Sequence, residues 1–166
     1  MQTETEISFL ANLNQNMGIV HQVCHTYFRR DGVEREDVFQ DIMYQLWKSY
    51  PQFKGESKFS TWMYKVALNT AITHIRRSTR APRNAELTES VARGPINEHM
   101  CQAEEVHLLH EAIAALNDID KAIILLHLED QNYDEIASIT GLTRTNVSVR
   151  LVRIKRALKD YLQRSQ

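Results

Sequence analysis

The sequence has little of what catalytic and extracellular domains are usually built around. Of its 166 residues only two are cysteine, five are glycine and three are proline. Cys24 and Cys101 stand far apart with no pairing pattern, which excludes a disulfide framework and fits a reducing compartment. There is no glycine-rich phosphate loop, no nucleophile elbow and no carboxylate pair with supporting context, so the chain is not expected to be an enzyme. Runs of alternating β-branched residues are missing, and the class expected is all-α. No apolar run approaches the roughly 20 residues that span a bilayer. The opening MQTETEISFL is polar and acidic where a secretory leader needs cations and then an apolar stretch. A soluble, cytoplasmic chain is the expectation.

Net charge is also nearly absent, at −1, which taken alone argues against nucleic acid. Counted by segment, the balance comes apart. Residues 56–83 carry six basic residues against one acidic, and 142–166 carry seven against one. Between them, 84–141 carry two basic residues against twelve acidic. One solvated surface would mix the signs, so the separation points to two anion-binding faces.

What is present is concentrated near the end, in YDEIASITGLTRTNVSVRLVRIKRAL, from Tyr133 to Leu158. Ala137, Gly141 and Val147 have the spacing of a helix-turn-helix. A small side chain lets two helices approach, a glycine takes the left-handed turn, and a branched apolar residue buries the second helix. Such a motif lays its second helix in the major groove of DNA. Advancing about 100° per residue from Val147, residues Leu151, Ile154, Leu158 and Leu162 form an apolar stripe. The opposite face gathers Thr145, Ser148, Val149, Val152, Arg153 and Arg156, with Asn146 at its margin and Arg144 at the helix start. Arg153 can fork onto a guanine edge, a contact worth about 1–3 kcal/mol of discrimination, and the valines suit thymine methyls. Arg150, Lys155 and Arg156 are expected on phosphates, which position without specifying. The plainer alternative is a basic solvated helix closing a small bundle; the coincidence of spacing and one-sided charge weighs against it.

Upstream, one helix is expected from about Glu6 to Arg30, ending at Asp31-Gly32. A second, from near Glu34 to Pro51, places Val38, Ile42, Met43, Leu46 and Trp47 on one face and Glu36, Asp37, Gln40, Asp41 and Gln45 on the other. After the loop QFKGESKFS, Ser60 is expected to cap a third helix running to Arg77. There Phe59, Trp62, Met63 and Val66 give an aromatic, apolar face, and Lys65, Asn69, Thr73 and Arg76 a polar stripe. Arg77, Arg80 and Arg83 continue the basic run. Aromatics interleaved with cations suit unstacked single-stranded bases. For Trp62 taken alone, packing is the better reading. Periodicity fails between Ser78 and about Cys101, which reads as a linker, and helices are expected at about 103–116 and 119–129.

DVFQDIMYQLW, then FKGESKFSTWMYKVALNTAITHIRR, then the helix-turn-helix together resemble an extracytoplasmic-function sigma factor of the sigma-70 family, over about three quarters of the chain. The resemblance implies two small helical domains, 6–80 and 103–164, joined by a flexible linker at 81–102 that threads toward the RNA exit path. It implies a partner, core RNA polymerase, met at the clamp helices of the largest subunit by Asp37, Gln40, Asp41 and Tyr44, and at the flap of the second-largest. It implies promoter DNA read twice. The minus-ten element would be taken melted, with a base flipped into a pocket, by Phe53, Lys54, Lys58, Phe59, Ser60, Trp62, Lys65, Asn69, Thr73, Arg76 and Arg77. The minus-thirty-five element would be read as duplex by Arg144, Thr145, Ser148, Val149, Arg150, Val152, Arg153 and Arg156. No cofactor is implied. Such factors are usually held inactive by an anti-sigma protein, often membrane-anchored, whose target would be the exposed apolar faces of both domains. Four positions depart from the family pattern: Ser148 and Val149 replace a basic residue followed by serine, Met43 a phenylalanine, and Asn117 a common proline.

Competing readings are a stand-alone helix-turn-helix regulator of duplex DNA and a helical adaptor that binds proteins only. His21, Cys24 and His25 lie at i, i+3 and i+4, but nearby sequence offers no fourth metal ligand. His99, Cys101, His107 and His110 are scattered. No metal site is expected from either group.

Overall fold

A computed structural model describes residues 4–80 and 100–165, and among these every regular element is helical. The order is α1 (Glu4–Tyr27), α2 (Gly32–Ser49), a single 3₁₀ turn (Tyr50–Gln52), α3 (Phe59–Arg80), α4 (Met100–Ala114), α5 (Asp118–Leu128), α6 (Tyr133–Thr140) and α7 (Arg144–Arg164). The linker reading at 81–102, with Arg83 and His99, lies outside the described residues as far as residue 99; α4 already begins at Met100.

Local chemistry sets the boundaries. Asp31 caps α2, its Oδ1 accepting the N–H groups of Val33 and Glu34 at 3.0 and 2.9 Å. Pro51 lacks the N–H that would continue α2, and the chain tightens into the 3₁₀ turn instead. Ser60 does not cap α3. The helix starts one residue earlier, at Phe59, and the carbonyl of Lys58 accepts the N–H of Trp62 at 3.2 Å. Asn117 accepts the N–H of Asp120 and so begins α5, which gives a local role to the residue that stands in place of a proline.

Helices α1, α2 and α3 pack around Phe9, Leu13, Val20, Val23, Val38, Ile42, Leu46, Met63 and Ala67, all buried. Val38, Ile42 and Leu46 are the expected face of α2, but Trp47 is not part of it. Its ring stands 48% exposed, edge-on to Phe9 at 5.4 Å. In the second half α4 to α7 enclose Ile123, Leu126, Ile136, Val147, Leu151 and Ile154.

The two halves touch. Tyr27 donates from its hydroxyl to the carbonyl of Asp118 at 2.6 Å, and Gln22 donates to Glu129 Oε1 at 2.6 Å. Arg29 meets His107 Nδ1 at 3.1 Å. Beside these contacts, α1, α4 and α5 line a cleft of about 360 Å³ with His21, His25, Arg29, His110, Ile124 and Leu128 at its wall.

Candidate nucleic-acid interface

Helices α6 and α7 form the turn that the sequence predicts. Asn132 and Glu135 make a reciprocal capping box at the start of α6. Gly141 ends α6 with φ +75° and donates its N–H to the carbonyl of Ala137 at 2.9 Å. Two residues later Thr143 caps α7, accepting the N–H of Asn146 at 3.2 Å. This turn pins the entry angle of α7, and Val147, Leu151, Ile154 and Leu158 bury one side of it.

The other side of α7 is open. Thr145, Asn146, Arg153, Lys155 and Arg156 are exposed, Ser148 is half-buried, and Val149 and Val152 stand 46% and 60% exposed. Valines this exposed at these positions suit an apolar edge supplied from outside. Arg144 lies 3.9 Å from Asp134 across the turn. Arg150 is different from its neighbours. Its guanidinium is half-buried and donates to Asp120 Oδ1 on α5 at 2.7 Å.

A second cationic surface runs along α3. Lys65, Asn69, Thr73, Arg76 and Arg77 are all exposed, on successive turns of one stripe. At its N-terminal end the rings of Tyr50, Phe53, Phe59 and Trp62 gather into one aromatic cluster. Phe53 and Phe59 lie 5.1 and 5.3 Å from Trp62, and Tyr50 lies 6.2 Å from it. Periodicity along one helix could not show this cluster, because Tyr50 and Phe53 come from the 3₁₀ turn and the loop that follows. Phe59 and Trp62 are half-buried against the core, and Lys54 is exposed beside them in the loop. Ser60 is half-buried, while Lys58 reaches Glu135 on α6 at 3.0 Å.

The third surface is the outer side of α2. Asp37, Gln40, Asp41 and Tyr44 are exposed, with Tyr44 at 58%. Trp47 adds an exposed ring one turn beyond Tyr44, and Lys48 lies over the Tyr44 ring at 5.8 Å. His74 of α3 sits at the edge of this surface, 3.5 Å from Glu34 and 3.7 Å from Asp41. Neither Trp47 nor His74 was legible as part of a surface, since each depends on which helix packs alongside.

Among the described residues, the histidines and cysteine that the sequence singles out have ordinary surroundings. Cys24 is buried, which pushes its thiol up to about 11. His21 stacks on Phe39 at 4.9 Å, and His107 pairs with Glu111 at 3.4 Å. No group of three or more metal-ligating side chains comes together among the described residues.

Two family models match the chain, Sigma-70 region 2 over residues 13–81 and Sigma-70 region 4 over residues 107–158. The chain is 28% identical over 148 residues to the RNA polymerase sigma-H factor of Pseudomonas aeruginosa, covering 82% of this chain and 77% of that protein. It is 29% identical over 140 residues to the ECF RNA polymerase sigma-E factor of Haemophilus influenzae, with 76% and 74% covered. The fold is similar to that of the sigma factor RpoE solved in complex with the anti-sigma factor NepR from Bartonella quintana. That match has a TM-score of 0.75 and 20% identity over 94% of this chain and 97% of that one.

Proposed function

The chain belongs to the extracytoplasmic-function class of the sigma-70 family and directs promoter-specific transcription initiation, and from that premise we propose how its surfaces divide the work. The α3 stripe with the aromatic loop takes the minus-ten element as melted single strand. Lys65, Arg76 and Arg77 track the phosphates, and Asn69 and Thr73 hold a base that has left the stack. Extrusion costs a few kcal/mol, so a pocket that holds the base favours the open promoter. The outer face of α7 reads the minus-thirty-five element as duplex, with Arg153 on a base edge and Val149 and Val152 against thymine methyls. Asp37, Gln40, Asp41 and Tyr44 dock on the clamp helices of the polymerase, and the C-terminal half meets the flap. The domains are 6–80 and 103–164, and 81–102 joins them along the path toward the RNA exit. The chain works where polymerase works, in the cytoplasm.

The observation that carries this reading is the coexistence of two exposed cationic faces of different character. One is bounded by an aromatic cluster and the other carries two solvent-facing valines. A duplex-only regulator has no use for the first. A membrane-anchored anti-sigma partner would cover the exposed apolar residues, among them Tyr44 and Trp47 on α2. Run-off transcription with core polymerase on genomic DNA tests the reading. Discrete start sites that require this chain support it. High-affinity duplex binding without polymerase, and no discrete starts with it, sinks it.

A further inference from the structure

The half-buried Arg150 stands apart from the other cations of α7. Its neighbours one turn away on either side, Val147 and Ile154, belong to the buried stripe, so Arg150 lies on the rim that faces the protein. There its Nη1 donates to Asp120 Oδ1 at 2.7 Å. The other oxygen of Asp120 accepts the Asn117 side-chain amide N–H at 2.7 Å, and Asn117 Oδ1 accepts the Asp120 backbone N–H at 3.0 Å. Both carboxylate oxygens are therefore engaged, and the acid side chain is only 19% exposed. The turn that carries Asp120 is itself tied down, through the Asp118 carbonyl, by Tyr27 of α1.

An apolar stripe holds a helix against its neighbours without choosing a rotation sharply, because apolar burial is non-directional. A charge-assisted hydrogen bond from a planar guanidinium does choose one. Arg150 lies between Val149 and Val152 in sequence and three residues before Arg153. A small roll of α7 would carry all three of those side chains across the base edges they meet. A guanidinium whose Nη1 is committed to an oriented carboxylate is also a weaker phosphate ligand, since part of its charge is already compensated and its reach is fixed by Asp120.

We propose that Arg150 is a positioning residue, not a phosphate contact: the Asn117–Asp120–Arg150 network sets the roll of α7 and so determines which bases Val149, Val152 and Arg153 discriminate. This rests on the proposed reading of the α7 face as the duplex-recognition surface.

The test uses the full-length chain with core polymerase on a mapped promoter and on templates with each upstream base pair replaced in turn. Wild type is run first. If it shows no preference among the upstream templates, it is the assignment of α7 that fails, before any variant is made. The variants are Arg150→Gln, Asp120→Asn, the two combined, and Arg150→Lys. The expected result is that both single variants lower discrimination at the positions read by α7 by about fivefold or more. The double variant should lose no more than either single, because the two residues act as one unit. Arg150→Lys, which keeps a donor, should recover part of the loss. The slope of binding against salt should stay at the wild-type value in every variant, since no phosphate contact is removed. Three results would overturn the proposal. One is a salt slope lowered by about one unit in Arg150→Gln with Asp120→Asn indistinguishable from wild type. Another is losses that multiply in the double variant. The last is a uniform fall on all templates with the wild-type ranking of bases intact, which is what a merely destabilised fold would give.

Discussion

Lys58, in the loop before α3, and Glu135, in the first turn of α6, meet with Nζ 3.0 Å from Oε1. Glu135 does two things at once, because its Oε2 also accepts the backbone N–H of Asn132 at 3.0 Å in the capping box. The pair therefore ties the loop assigned to the melted strand to the motif assigned to the duplex. The minus-ten and minus-thirty-five elements are roughly 25 base pairs apart, about 85 Å of B-form helix. On the proposed assignment, the two surfaces cannot both be on their elements while this contact persists.

Separation of the halves is thus expected on engagement, and its barrier should be open to mutation. Combining Lys58→Glu with Tyr27→Phe sets like charges opposite each other and removes the hydroxyl bonded to the Asp118 carbonyl. The expected outcome is a longer distance between fluorophores placed on α2 and α7 of the free chain. Lys58 is 76% exposed, so its share of overall stability should stay within about 1 kcal/mol. An unchanged distance would mean that these two contacts do not hold the halves together.

Glu135 gives the same contact a pH dependence. The Asn132 N–H and then Lys58 hold its carboxyl below its ordinary value of 4.5. A carboxyl whose folded value is depressed contributes stability above the unfolded value and loses it as pH falls through the folded one. Acid titration of the melting temperature should therefore show a decline below pH 4.5. Glu135→Gln, which retains the cap, should shrink that decline. Equal declines in both proteins would remove Glu135 from the account.

His110 has the opposite chemistry at the cleft between the halves. Partial burial, then Arg29, His107 and His25, hold it below 6.5. Folding thus favours the neutral ring, so its contribution is complete above pH 6.5 and falls as pH drops below it. His110→Gln should flatten the melting temperature in that window. Persistence of the full slope in the variant would assign it elsewhere.

Gly141 should be replaceable only at a conformational cost. A Cβ added there meets no atom within 4 Å, yet φ is +75°. Gly141→Ala is expected to cost about 1–2 kcal/mol in chemical denaturation, and Gly141→Asn less. Equal stability for Ala and Gly would show that the turn relaxes.

Two substitutions separate reading from melting. Arg153→Ala should reduce preference at one upstream base pair by about 1–3 kcal/mol, while Arg156→Ala should lower the salt slope by about 0.9 without changing base ranking. Asn69→Ala should weaken initiation on duplex templates and be rescued when the minus-ten region is supplied unpaired. A deficit that persists on the unpaired template would move Asn69 out of the melting step.

The helix-turn-helix was legible because its determinants are local. Gly141, Val147 and the stripe through Leu158 follow from spacing alone, and the structure places them as a helix C-cap and a buried face. The all-helical class and the exposed stripe from Lys65 to Arg76 were legible for the same reason. What escaped depends on neighbours distant in sequence. Trp47 shares the periodicity of Leu46 and Ile42 but meets only the edge of Phe9 on α1, so about half of it stays exposed. Arg150 looks like any other cation of α7 until Asp120, thirty residues earlier, is brought beside it. Ser60 has the chemistry of a cap, yet the helix begins one residue before it, at Phe59.

The burial of Cys24 has a practical corollary. With its thiol pushed up to about 11 by burial, little of it is the reactive thiolate at neutral pH, and that sulfur is screened from solvent by the packing of α1. Oxidants and alkylating dyes should pass it by, leaving this side chain silent when thiols introduced on the outer faces are labelled to follow opening.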